Sequence, residues 1–398
     1  SSISAVGTGS SFMQMATFII TSLAMGSTVI IGHHIGEQKP KEAGNAVGTT
    51  IILFLIIAVI MTFVLEFAAG GIAHLLQAPV ESFDKTILYI RICSAGIVII
   101  IAYNVISGVL RGVGNANLPL LFVGIACVVN ILGDLLLVGV FHMDVAGAAI
   151  ATVFAQFISV VCSVVVLRKQ DMPIEFSKEQ CRIYKEELGK ILNVGVPIAL
   201  QETTVQISFL VVNSVINQMG LMPSAGYGIA QKIVSFIMLV PSSIMQSVSA
   251  FVAQNIGARK KSRAWKGFYT AIITGCSVGI IIFMVGFFGG GVLSSFFTND
   301  SEVIAQSAAY LKGFSADCIL TCVLFSSIGY FNGCGKSIPV MIQGITSAFC
   351  IRIPVSIIMS RLPETSLTYV GMATPITTVY GIIFFMICFW RLNKKATK

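Results

Sequence analysis

The sequence predicts an all-α polytopic membrane protein: two pseudo-symmetric six-helix bundles in parallel repeat, with the first helix missing so that eleven are present. Three observations carry this expectation. Charged residues make up 11% of the 398-residue chain against 56% hydrophobic, and mean hydropathy is +0.91, whereas a soluble domain carries about 25% charged residues. Apolar runs recur at the length of roughly 20 residues that a membrane helix needs. Short motifs in the first part of the chain recur in the same order, and at one fixed offset, in the second. So few charges cannot cover a soluble globule, and the composition also excludes disorder and collagen.

The eleven segments are residues 9–32, 46–69, 86–110, 118–141, 145–167, 191–217, 225–256, 264–288, 306–331, 338–360 and 368–390. Unbroken runs of this length read as helices, because barrel strands span only about 10 residues and alternate in polarity. Pro197, Pro241, Pro354 and Pro375 lie inside them, which membrane helices tolerate better than soluble ones. The cysteines Cys93, Cys127, Cys162, Cys276, Cys322, Cys350 and Cys388 lie in apolar runs without a C-x-x-C pair and read as small buried hydrophobes.

Basic residues orient the chain. The stretch 33–43, Arg111, 168–190, 259–266, Lys336 and the tail 391–398 hold 19 of the 25 Lys and Arg, and such loops face the cytoplasm. The intervening turns hold few, Lys85 and Arg361 among them. The expected localisation is the plasma membrane, multi-pass, with a cytoplasmic C-terminus. The net charge of +8 is therefore read as topology and not as nucleic-acid binding. The expected domains are an N-terminal lobe 1–167, a cytoplasmic linker 168–190 and a C-terminal lobe 191–398.

The repeat pairs Gly32–Gly36 with Ala253–Gly257, Tyr89–Arg91 with Tyr310–Lys312, and Arg111–Gly114 with the glycines Gly333 and Gly335, all at the same offset. Val145–Gly147 pairs with Tyr369–Gly371 at a slightly longer one. Corresponding loops fall on one side of the membrane, as in parallel repeats related by an axis along the membrane normal. Segment 9–32 pairs with 225–256, so 191–217 has no counterpart. The chain begins at Ser1 with neither a basic n-region nor a cleavage site, and the expectation is a parent of six plus six helices.

Gly32–Lys41 with Gln254–Lys261, Arg111–Pro119 with Gly333–Pro339, and Val145-Ala146-Gly147-Ala148-Ala149-Ile150-Ala151-Thr152-Val153-Phe154-Ala155-Gln156 together resemble the multidrug and toxic compound extrusion (MATE) family over essentially the whole chain. The resemblance implies a cation-coupled antiporter, using Na⁺ or H⁺, that exports organic, cationic or amphiphilic compounds by alternating access between two lobes. It implies no enzyme and no cofactor beyond the coupling ion. The expected partners are a small organic substrate, the coupling cation and membrane lipid, with no nucleic acid, and the expected state is a monomer.

Ionisable residues inside apolar segments are expensive in hydrocarbon and mark functional sites. Asp134 is the foremost, one turn from Asn130 on the same helix face. Oxygen ligands suit Na⁺, and a carboxylate in a partly dry site can take a proton instead. Asp134 lies 15 residues past Pro119 and Thr152 seven past Val145. At 1.5 Å per residue these are about 22 Å and about 10 Å from opposite faces of a core about 30 Å thick, hence similar depths. The resemblance agrees, since members with a first-lobe cation site use Asn-x-x-x-Asp on the fifth helix and a Thr on the sixth. They also use an Asp on the first helix, which is not in this sequence, so weak ion binding is expected. The alternative for Asp134 is a cap or pair near the outer surface.

Another branch of the family uses acids on the seventh and tenth helices, where Glu202 and Asp317 lie, although Glu202 is only five residues past Pro197, about one turn earlier than that pattern. Lys232 is the expected partner for these acids. Positions equivalent to Asn130 and Asp134 fall at Ile351 and Val355. Met13, Met15, Met25, Met238 and Met245 lie on segments paired by the repeat and are candidate substrate-cavity residues, with helix packing as the alternative. Glu66, near an outer helix end, reads as interfacial. Tyr89 and Tyr310 read as interfacial aromatics, with Tyr89 also within reach of the Asp134 site.

Other motifs fail. Gly335-Lys336-Ser337 lacks the first P-loop glycine, because Tyr330 stands there, and Gly112-x-Gly114 lacks the third dinucleotide glycine. His33-His34 reads as a solvated helix end. A flippase for a lipid-linked saccharide and an integral membrane enzyme stay as rivals. The first needs a cavity lined with Arg or Lys, and only Lys232 and Arg352 are candidates. The second needs clustered catalytic side chains.

Overall fold

The computed structural model describes residues 2–76, 80–169, 172–362 and 366–396; Gln170 and Asp171 of the linker and Thr397 and Lys398 of the basic tail lie outside the described residues. The helices of the first part are α1 (Ser2–Gly36), α2 (Pro40–Leu75), α3 (Phe83–Ala95), α4 (Ile97–Val113), α5 (Asn117–Asp134), α6 (Asp144–Lys169) and α7 (Lys185–Asn217). They are followed by α8 (Leu221–Ile237), α9 (Leu239–Gly257), α10 (Lys261–Ser295), α11 (Ser301–Phe314), α12 (Asp317–Gly333), α13 (Ser337–Thr346), α14 (Ile353–Ser360), α15 (Leu367–Gly371) and α16 (Ala373–Ala396). No strand occurs among the described residues. Among the described residues, nine spans are long and apolar enough to cross a membrane, and eleven when each of two bent pairs, α3–α4 and α11–α12, counts as one.

The breaks have local causes. A proline frees the carbonyl four residues before it, and the interruptions at Met238 and Met372 each fall three residues before a proline, Pro241 and Pro375. The α3–α4 pair bends by 52° around Gly96, where Val153 of α6 packs so closely that no Cβ would fit. The α11–α12 pair bends by 48° beside Ser315, whose hydroxyl donates back to the Leu311 carbonyl at 2.5 Å, a bond that bends helices. Two stretches widen to π-helix, Leu135–Val140 after α5 and Ser347–Arg352 after α13. The second runs up to Pro354, whose missing N–H disfavours the ordinary ladder there.

The sequence repeat is also a backbone repeat. Gln38 and Arg259, paired by the repeat offset, both adopt φ 58°. Gly114 and Gly335, at the same spacing, adopt φ 98° and 69°, and each closes its helix with paired N–H bonds to the last turn. That left-handed cap is why glycine recurs at the end of the R-G-x-G motif.

The chain divides into two compact units, residues 1–199 and 200–398, a boundary inside α7. The linker is a strap on the first unit. The Glu175 N–H donates to the Pro40 carbonyl at 3.2 Å and the Tyr184 N–H to Thr49 Oγ1 at 3.1 Å. Gly44 and Gly48 of α2 face the backbone carbonyls of Glu175 and Gln180 with no room for a Cβ. The start of α7 is held to α1 the same way, Gly26 against Gly195. In the second unit Tyr227, Tyr310, Leu311 and Phe314 form one buried cluster, and Phe268, Tyr330, Trp265 and Phe389 pack in another. Large apolar side chains such as Phe67 and Phe288 are exposed, as expected where the surrounding solvent is lipid. Cys127 and Cys350 are also exposed, contrary to the expectation of burial. Exposed apolar neighbours flank them, Val128 and Phe349, so a small side chain there belongs to the same apolar outer face.

Candidate functional site

In the first unit, α5 and α6 approach closely because Gly133 faces Ala151, where a Cβ would lie at 3.0 Å, and Gly147 faces Leu137. That contact brings Asn130 to Thr152, with Nδ2 donating to Oγ1 at 3.4 Å. The Thr152 hydroxyl in turn donates to the Ala148 carbonyl at 2.9 Å. Asp134 follows Asn130 by one turn, half-buried, where α5 passes into its π-helical stretch. Its Oδ1 is buried and makes no hydrogen bond. Tyr89 of α3 interacts through its side chain with Thr152 and lies within electrostatic reach of Asp134. The structure therefore brings Asp134, Asn130, Thr152 and Tyr89 together. The set offers a carboxylate, an amide oxygen and hydroxyls, hard donors that fit a monovalent cation or a proton.

The interfacial reading of the two tyrosines is corrected. Tyr89 is 4% exposed and Tyr310 2%. Gly9 of α1 leaves the space into which the Tyr89 ring packs, and the Tyr310 ring meets Tyr227 edge-on at 5.0 Å between centroids. Glu66 lies 4.0 Å from Arg91 Nε, an exposed pair linking α2 and α3. Met13 and Met25 are buried, whereas Met15, Met238 and Met245 are partly exposed.

In the second unit, Asp317 is the first residue of α12 and 1% exposed. Its Oδ2 accepts from the Thr321 hydroxyl at 2.6 Å, and its Oδ1 makes no hydrogen bond. Glu202 accepts from Gln206 at 2.8 Å. Lys232, the expected partner, is exposed; the unit also holds a buried basic group, Arg352, at the end of the π-helical stretch. Its Nη1 donates to Ser208 Oγ at 2.8 Å, and the guanidinium lies 4.4 Å from the centre of the Phe209 ring. Sequence reasoning gave Arg352 no role with these acids, although a lone charge inside an apolar run was the available signal.

A third cluster joins α1 to α7. His34 is 6% exposed, not solvated as expected, and its Nε2 lies 2.9 Å from Glu187 Oε2. Lys190 donates to the other Glu187 oxygen at 2.9 Å. The burial follows from the close packing of α7 on α1. In the loop between α1 and α2, a hydrogen bond from Lys39 holds the Glu37 carboxyl below the usual carboxylate range.

Comparison with known proteins agrees with this architecture. The probable multidrug resistance protein YoeA of Bacillus subtilis is 27% identical over 76% of this chain and 67% of its own length. The multidrug export protein MepA of Staphylococcus saprophyticus is 26% identical over 77% and 68%. The probable multidrug resistance protein NorM of Thermotoga maritima is 23% identical over 100% and 87%. A solved outward-facing MATE family transporter of the MOP superfamily superposes with TM-score 0.92 at 22% identity, covering 98% of this chain and 88% of that one. A crystal structure of MATE in complex with MaD3S gives 0.91, also at 22% identity, over 100% and 89%. These relatives are transporters and not enzymes. The family profile MatE matches residues 1–136 and 197–358, more than half of the chain, and the protein belongs to the MatE family of multi-pass membrane transporters.

Proposed function

We propose that this transporter is a cation-coupled antiporter, driven by Na⁺ or H⁺, that exports organic cationic or amphiphilic compounds by alternating access. The coupling ion binds at Asp134, with Asn130 and Thr152 as further oxygen donors and Tyr89 closing the set. The observation that carries this reading is the buried, unpartnered Oδ1 of Asp134 beside the Asn130–Thr152 pair. A carboxylate oxygen without a donor in an apolar surround is costly, and a bound ion or proton removes that cost. A ligand moves a conformational equilibrium only by binding the two states unequally. Ion binding at Asp134 therefore favours the state from which substrate leaves. Met15, Met238 and Met245 supply adaptable apolar surface for varied substrates. The protein works as a monomer in the plasma membrane with its C-terminus in the cytoplasm.

Purified protein in vesicles tests this under separately imposed Na⁺ and pH gradients. One gradient should drive export of an organic cation, and Asp134→Asn should abolish that drive. Export by the variant at the wild-type rate would exclude the first-unit mechanism. A second reading places a coupling site at Glu202 and Asp317, favoured by the unpartnered Oδ1 of Asp317.

A further inference from the structure

We propose that the basic end of the second unit, where α9 runs into α10 and where α12 and α16 finish, is a binding surface for the headgroups of anionic phospholipids. One aromatic cluster brings these segments together. Trp265 of α10 lies 4.8 Å from Tyr330 of α12 and 5.1 Å from Phe389 of α16, measured between ring centroids, and Cys334 packs alongside. Each segment meeting there carries exposed basic residues. Arg259 and Lys260 lead into Lys261, Arg263 and Lys266 of α10. Lys336 follows Cys334, and Arg391 and Lys394 lie on the last turns of the helix that holds Phe389.

These charges have no acidic match. No Asp or Glu stands at residues 203–299, 318–363 or 365–398, and among the described residues none of these basic side chains forms an ion pair. Membrane topology alone does not require this. The positive-inside bias counts Lys and Arg and is nearly blind to Asp and Glu, and the corresponding end of the first unit keeps its acids. There Lys39 meets Glu37 at 2.9 Å, and Lys190 meets Glu186 and Glu187 at 3.1 and 2.9 Å. Under the repeat offset Glu37 gives way to Ala258 and Glu42 to Arg263. The first unit therefore neutralises this end with its own carboxylates, and the second leaves it to anions from outside the chain.

The surroundings select a lipid phosphate over a free anion. Tyr269 and Trp390 are exposed beside the charges, and the Lys394 ammonium lies 5.1 Å from the centre of the Trp390 ring. One turn away, Ile273 on α10 and Met386 on α16 are exposed as well. Aromatic rings between basic and apolar side chains are the composition of a membrane interface, and basic clusters at that level attract anionic headgroups. The apolar flank suits acyl chains, and a free phosphate has no use for it.

The siting in the cytoplasmic leaflet rests on the orientation proposed above, but the headgroup binding does not. Binding is therefore measured on the purified full chain in phosphatidylcholine nanodiscs, where both faces are accessible, titrated with spin-labelled phosphatidylglycerol. Wild type should hold this lipid saturably and in preference to spin-labelled phosphatidylcholine. The triple variant Lys261→Gln, Arg263→Gln, Lys266→Gln should weaken that binding about 100-fold, since each Lys or Arg near an anionic headgroup layer contributes roughly fivefold. Lys39→Gln, Lys41→Gln, Lys185→Gln removes the same number of charges from the first unit and should leave the binding nearly intact, because those lysines stand among acids. Melting temperatures of both triples should match wild type, since all these side chains are exposed. Equal losses of binding in the two triples would reduce the attraction to net charge and overturn the proposal. So would a wild type without preference for phosphatidylglycerol, or displacement of the lipid by millimolar glycerol 3-phosphate, which would mark a free-anion site. Failure of ion gradients to drive export would sink the proposed function and leave the lipid titration standing.

Discussion

The fifth helix of the first unit and its counterpart in the second have the same place in the repeat and opposite polarity. Residues 117–140 carry Asp134, half-buried one turn from the Asn130–Thr152 contact, whereas residues 337–360 carry Arg352, buried and bonded to Ser208. Both have a π-helical stretch, but at different registers: Leu135–Val140 follows Asp134, and Ser347–Arg352 ends on the arginine. At the preceding bend, Gly96 of the first unit corresponds to Asp317 of the second under the same repeat offset. A shared scaffold thus holds a carboxylate with an unpartnered oxygen in one unit and a buried guanidinium in the other. The repeat preserves turns and helix breaks, and the charges placed on it diverge.

The largest predicted effect breaks that comparison on stability. Arg352→Met removes the buried guanidinium that donates to Ser208 and lies on the Phe209 ring and should cost about 1.5–3 kcal/mol, as losing a hydrogen bond from a charged group does. Asp134→Asn removes no formed hydrogen bond from a half-buried group and should cost about 1 kcal/mol or less. Thermal unfolding in detergent ranks the two. Equal losses would mean that Asp134 is also paired.

The next effect is on packing. Gly133→Val puts branched bulk where even a Cβ meets Ala151 at 3.0 Å, and overpacking costs about 1–3 kcal/mol. Because α5 and α6 must separate, the Asn130–Thr152 contact is lost with it. Ion-driven export should fall further than stability does. Thr152→Val keeps the volume and removes the hydroxyl, so it should reduce ion dependence with little change in melting temperature.

Much of this fold was legible in the sequence. Apolar run lengths located the spans, and the recurring Gly114 and Gly335 marked caps whose backbone conformation only glycine adopts cheaply. Asp134, Asn130 and Thr152 were legible because helix spacing and depth are arithmetic on residue number. Their approach through Gly133 and Gly147 was not, since α5–α6 contact depends on which faces meet. Arg352 and Lys232 show the same limit. Both interrupt apolar segments, and only three-dimensional packing decides that Arg352 is buried against Ser208 and Phe209 while Lys232 is exposed. His34 misled because a polar helix end normally meets water, and here the start of α7 covers it.

A smaller effect tests the part the units share. Gly114→Ala and Gly335→Ala force a Cβ into the left-handed region and should each cost about 1–2 kcal/mol. Similar losses in unfolding experiments would support equivalent caps, and a large inequality would mean that one loop relaxes.

The smallest effect separates the units again, at loops with one backbone and different charges. Gln38 and Arg259 share φ 58°, yet Glu37 of the first loop is replaced by Ala258 in the second. Lys39 donates to Glu37 at 2.9 Å, with His34 Nδ1 3.7 Å from the same carboxylate oxygen. The hydrogen bond from Lys39 is the main cause of the lowered Glu37 pKa. A carboxyl whose folded-state pKa is depressed stabilises the fold above its unfolded-state pKa and loses that contribution as pH falls through the folded value. The pair is exposed, so water and salt screen most of it. Wild type should therefore lose a small increment of melting temperature as acid protonates Glu37, and added salt should shrink that increment. Glu37→Ala, which makes the first loop resemble the second, should flatten this part of the pH profile, while Ala258→Glu should introduce a matching dependence opposite Lys260. An unchanged profile in Glu37→Ala would assign the acid sensitivity to other carboxylates. A flattened one would show that the two loops, alike in backbone, differ in pH response through this one side chain.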